Sequence, residues 1–171
     1  MNSFRHRPRP RALRVRSFAC AGVAGLLFLA PACSSADDRA EAAVPSPDEE
    51  VAGLCRDLDE ALPGKVDGRD RTDPEPASDL TAGWGSPAII LRCGIPRPAV
   101  MSDPDQVTAE IDGMVWVVEE LDGGAYRFTT GLRRAYVEVT LPAEVAEETG
   151  SFALVDLVPA IERTIPEELA D

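Results

Sequence analysis

Histidine and lysine are almost missing from this sequence: His6 and Lys65 are single occurrences in 171 residues. With no histidine after position 6, Ser-His-Asp and Cys-His catalytic arrangements are excluded, as is every zinc site that needs an imidazole. Lys65 lies in a Pro/Gly/Asp-rich stretch, and no serine near it forms a recognisable Ser-Lys motif. No Gly-x-x-x-x-Gly-Lys-Ser/Thr or Gly-x-Gly-x-x-Gly loop is present to cradle a phosphate. Positive charge is also scarce where it would matter. Residues 1–32 hold six arginines and no acid, so residues 33–171 carry eleven basic groups against thirty acidic ones, a net of −19. Phosphate binding needs clustered cations, so nucleic acid is excluded as a partner. No metal and no cofactor is expected.

What the chain does have begins with an export pattern. Arg5, Arg7, Arg9, Arg11, Arg14 and Arg16 precede the uncharged run FACAGVAGLLFLAPA at 18–32. Fifteen residues make a helix of about 22 Å, short of the roughly 30 Å hydrocarbon core of a bilayer. A basic segment, a short apolar run and small residues at its end predict a secretory signal peptide over 1–32. No Arg-Arg pair occurs there, which favours the general secretory route over the twin-arginine route. Leu29-Ala30-Pro31-Ala32-Cys33-Ser34-Ser35 resembles a bacterial lipobox, whose cysteine becomes the lipidated N-terminus. Lipoboxes usually carry Leu three positions before the cysteine, where this chain has Ala30. Ordinary cleavage after Ala32 fits the same small residues and is the alternative. Cys33 with residues 34–50 is expected to form a lipid anchor and a flexible charged tether, because SSADDRAEAAVPSPDEE has no apolar period.

Residues 51–171 then form one domain. Ser46, Pro47 and Glu49 resemble the cap, first and third positions of a helix start. Val51, Leu54, Cys55, Leu58 and Leu62 follow as one apolar stripe, and Pro63-Gly64 ends it. Residues 64–87 read as a long acidic loop. Ala88–Cys93 reads as a central strand, after which two prolines must leave the sheet. Gln106–Ile111 and Met114–Leu121 flank Asp112-Gly113, a strong hairpin signal. Strands over Tyr126–Thr130 and Arg134–Leu141 complete a meander. Leu154, Leu157, Val158, Ile161 and Ile165 repeat the helical period, with Pro159 expected to kink or shorten that helix. The fold class is α+β: an antiparallel β-meander sheet covered on one face by an N-terminal and a C-terminal helix.

With Cys20 removed in the signal and Cys33 lipidated, Cys55 and Cys93 are left, and in an exported protein they pair as one structural disulfide. Among the carboxylates, adjacent Glu119 and Glu120 point to opposite faces of a strand and cannot flank one bond. Asp67, Asp70, Asp73, Glu75 and Asp79 lack the spacing of an EF-hand loop and read as a solvated cluster. Trp84 either caps the core or meets a ligand. Arg92 either pairs with a carboxylate such as Glu138 or projects into a binding surface, and Arg133-Arg134 either pair within the domain or contact a partner's anion. Trp84, Arg92 and Arg97 together are the candidate binding surface.

The same residues carry a family resemblance. Leu62-Pro63, the block from Trp84-Gly85-Ser86-Pro87 to Cys93-Gly94-Ile95-Pro96-Arg97-Pro98, Gly113-Met114-Val115-Trp116 and Ala135-Tyr136-Val137-Glu138-Val139 resemble the DUF3515 family over about residues 51–165. Gly131-Leu132-Arg133-Arg134 is longer than the Gly-Arg step that family would place there. The resemblance implies a lipobox-bearing secreted protein of high-G+C Gram-positive bacteria, and no particular activity. Sixteen arginines to one lysine fit a high-G+C genome independently. The expected function is a binding module at the outer face of the cytoplasmic membrane. Its expected partners are the membrane, through the anchor, and an envelope protein or polymer. The alternative is a carboxylate-dependent enzyme acting on cell-wall polymer, which needs two carboxylates about 5–9 Å apart in a cleft.

Overall fold

Asp48 opens the first helix of the computed structural model, which describes residues 39–168. Its carboxylate accepts the Val51 N–H at 3.0 Å, so the cap lies two residues after Ser46, the residue the sequence pattern favours. Helix α1 (Glu49–Ala61) buries Cys55 and Leu58 on the expected stripe. Eight strands follow: β1 (Lys65–Val66), β2 (Arg69–Asp70), β3 (Thr81–Trp84), β4 (Ile89–Ile95), β5 (Val107–Ile111), β6 (Met114–Glu120), β7 (Tyr126–Thr130) and β8 (Tyr136–Leu141). Helix α2 (Ala143–Thr149), a 3₁₀ turn (Gly150–Leu154) and helix α3 (Val158–Thr164) close the domain. β1 and β2 form a small hairpin, and the other six make one antiparallel sheet in the order β3-β4-β8-β7-β6-β5.

The α+β class and the meander from β5 to β8 agree with the sequence reading, and several boundaries move. The 64–87 segment is not only a loop, since it contains β1, β2 and β3. β4 continues past Cys93 across a bulge, so that Ile95 still pairs with Tyr136. Gly94 makes the bulge possible: its φ is +83°, and a Cβ there would lie 2.7 Å from Pro47 Cγ and 3.4 Å from Cys55 Sγ. Pro159 sits in the first turn of α3, where its missing N–H costs nothing, rather than inside a longer helix.

Register divides the sheet into two faces. Ala82, Leu91, Val139, Phe128 and Val118 lie in register on one, and buried Leu58 and Ile161 from α1 and α3 pack in the same core. Arg92, Glu138, Arg127 and Glu119 lie on the other, one from each of four neighbouring strands. β4 and β5 run parallel although every neighbouring pair is antiparallel, so residues 96–106 must cross the sheet. Arg97 donates to the Tyr136 hydroxyl and to the Met101 carbonyl, which holds this crossover over the charged face. Residues 39–47, assigned to the tether by composition, are docked instead. Ala42 N–H donates to the Glu75 carbonyl, Glu75 N–H to that of Ala40, and Arg92 Nε to that of Ala43. Backbone pairing of this kind leaves no apolar period, so composition alone reads the segment as free.

Candidate functional site

Cys55 and Cys93 are bonded, with Cα atoms 5.6 Å apart, joining α1 to β4, the second strand of the sheet. Cys33 lies outside the described residues. The candidate surface of Trp84, Arg92 and Arg97 does not assemble. Trp84 is wholly buried, and its indole N–H donates to the Pro63 carbonyl at 3.0 Å. A large ring at the end of β3 is covered by the chain leaving α1, so it closes the core and meets no solvent. Arg92 Nη1 lies 2.9 Å from Glu138 Oε1, the pairing considered from sequence. Arg127 approaches the other oxygen of Glu138 at 3.4 Å and Glu119 at 3.7 Å, extending the row. Arg97 is exposed but committed to Tyr136 and Met101.

Both arginines of the turn before β8 are also paired within the domain. Arg133 pairs with Glu167 and Arg134 with Glu50. The longer turn at Gly131–Arg134 has a use, because the C-terminal segment pairs along it: Glu168 N–H donates to the Leu132 carbonyl and Arg134 N–H to that of Pro166. In the acidic cluster Asp67 pairs with Arg69, Asp70 with Lys65, Asp73 with Arg71 and Glu75 with Arg39. Arg71 also bonds Asp59 of α1. Burial alone would lower its pKa, but the hydrogen bonds to Asp73 and Asp59 and their charges outweigh that and raise it. Among the described residues, no group of three or more His, Cys, Asp or Glu could hold a metal ion.

Sequence reasoning missed an apolar concavity. A groove of about 410 Å³ lies on the helix side of the sheet, lined by Val107, Ala109, Val118, Tyr126, Phe128, Leu141, Ala146, Gly150 and Ser151. Strands β5, β6, β7 and β8 form its floor, and α2 with the 3₁₀ turn forms its wall. The cause lies in the helix layer. α1 and α3 pack on each other, and the short α2 contributes Val145 to the core and only partly covers the far strands. The groove therefore stays open and mostly apolar, with no carboxylate in its lining. Within the lining Val107 is 63% exposed, and Phe152, next in the chain to Ser151, is 77% exposed. An aromatic side chain left in water has no stabilising role in the isolated domain, and adjacent exposed apolar groups mark a contact surface. The one sequence signal was Phe152 itself, out of phase with the stripe from Leu154 to Ile165.

Among the described residues, no helix is long and apolar enough to cross a membrane. Neither a curated protein nor a solved structure matches the chain. The family model of DUF3515, described as a protein of unknown function, matches residues 16–169, nearly the whole length, and includes the Trp84–Pro98 block. The chain belongs to the DUF3515 family.

Proposed function

We propose that this protein is a lipid-anchored binding module at the outer face of the cytoplasmic membrane of a high-G+C Gram-positive bacterium. In this reading the signal over residues 1–32 is removed, Cys33 carries the lipid, and the domain holds an envelope partner in the groove between β5–β8 and α2. The observation that carries it is the open apolar groove flanked by exposed Phe152 and Val107. The lipobox-like sequence at Leu29–Ser35 supports the anchor. Two acyl chains supply stable attachment, which a domain of net charge −19 would not gain from anionic lipid. Because residues 39–47 are docked, only 34–38 separate the anchor from the domain, a span of at most about 20 Å.

Mass spectrometry of the processed N-terminus, combined with photo-crosslinking from position 152 in cells, tests both halves. A diacylglyceryl Cys33 and a defined set of envelope crosslinks, depleted by Cys33→Ala, are expected. An unmodified Cys33 amine overturns the anchor. Absence of crosslinks from 152 overturns the groove as the binding surface.

A further inference from the structure

We propose that β5 takes an extended basic peptide segment of an envelope protein as a seventh strand, with alternate apolar side chains of that segment filling the groove. The inference rests on the binding reading above and names the partner's chemistry.

The sheet has two edges, and only one is closed. Along β3, Thr72 N–H donates to the Gly83 carbonyl at 2.8 Å and Gly85 N–H to the Asp70 carbonyl at 3.0 Å. That contact is so close that a Cβ on Gly83 would lie 2.6 Å from the Thr72 oxygen. β5 pairs with β6 in unbroken register from Val107↔Val118 to Ile111↔Met114, and among the described residues nothing pairs its outer side. Natural edges are usually blunted by proline, charged side chains or a bulge. Val107-Thr108-Ala109-Glu110-Ile111 has no proline and no bulge, and its single charge, Glu110, repels an acidic strand but not a basic one. Its backbone is left able to accept another strand, the mode in which main-chain bonds give affinity and side-chain pockets give selectivity.

The alternation of β5 dictates the pattern of the added strand. Val107 and Ala109 line the groove, while Thr108 and Glu110 point to the opposite face. Every second residue of the added strand would lie beside Val107, Ala109 and the exposed Phe152, and should be apolar. The residues between would lie beside Thr108 and Glu110. Charge sets what those should be. From Pro98 to Tyr126 there are seven acidic residues and no basic one, and from Ala135 to Glu162 there is again no basic one. These two stretches supply β5, β6 and α2. Glu110, Asp112, Glu120, Asp122, Glu144 and Glu147 are all exposed there. Such a rim attracts Lys and Arg, and speeds their approach at low ionic strength. A second copy of this chain would bring the same carboxylates against one another.

The full chain in detergent micelles is titrated with three seven-residue probes: Lys-Val-Lys-Val-Lys-Val-Lys, the same composition as Lys-Lys-Lys-Lys-Val-Val-Val, and the alternating peptide with Glu for Lys. The expected result is binding of the alternating basic peptide alone, with hydrogen-exchange protection of 107–111 and affinity that falls as salt rises. Phe152→Ser should weaken it at least about fivefold, as loss of an aromatic anchor does. Equal binding of the block peptide, binding without protection of 107–111, or a β5-mediated dimer of the chain would overturn strand addition. If crosslinks from position 152 persist in cells while no alternating peptide protects β5, strand addition fails and the binding reading stands. If both are lost, both fail.

Discussion

Trp84 and Trp116 are both fully buried, but only Trp84 has a hydrogen-bond partner for its indole N–H. Replacing either with Phe removes a similar ring volume from the same core, so the two packing losses largely cancel in a comparison. Trp84→Phe also leaves the Pro63 carbonyl without its donor, whereas Trp116→Phe strands nothing. Urea unfolding should therefore show Trp84→Phe to be less stable than Trp116→Phe by about 1 kcal/mol. Equal losses would mean that the bond to Pro63 contributes nothing net. At this scale the sequence was informative where a residue broke its local pattern. Arg92 inside an apolar run announced a charged partner, and Glu138 provides it. Trp84 among glycines announced a special contact, but chain order alone could not show that residues 62–64 cover it. The block that carries the family resemblance is structural throughout: Trp84 closes the core, Cys93 is bonded to Cys55, and Gly94 makes the bulge against Pro47.

The elements that were legible are those with a long enough period. α1 shows its stripe over about three turns, and the strands of the meander alternate between punctuating Asp-Gly and Gly-Gly turns. β1 and β2 have two residues each, too few for any period. α2 hid because six of its seven residues are Ala, Glu or Thr, with Val145 its single fully buried side chain. The disulfide ties the legible elements together, linking the middle of α1 to the middle of β4 across 38 positions. In the chain-entropy treatment a loop of that length contributes about 4 kcal/mol. The Cys55→Ala/Cys93→Ala variant should lose stability on that scale, read from urea midpoints against the oxidised protein, with additional loss from the smaller side chains. A change under about 1 kcal/mol would show that the unfolded chain is already restricted by other means.

At the scale of the whole molecule, the two ends of the sheet have different surroundings. The chain enters along Arg39–Pro47, beside Glu75 and Arg92, on the side of β3 and β4. β5 lies at the opposite edge, five strand spacings or about 24 Å away. In the proposed anchored arrangement the attachment and the groove thus occupy opposite ends of the domain. This separation of roles makes a further prediction about stability. Phe152 and Val107 contact little within the domain, so Phe152→Ser and Val107→Thr should each change unfolding free energy by no more than about 0.5 kcal/mol. Leu157, fully buried just ahead of α3, should cost about 2–5 kcal/mol when replaced by Ala. The binding reading requires that the first two variants, folded as well as the parent by urea unfolding and by near-ultraviolet circular dichroism, lose envelope crosslinks placed at neighbouring Ser151. Retained crosslinks in both variants would separate the exposed apolar pair from binding. A large stability loss in either would instead assign that side chain to the core.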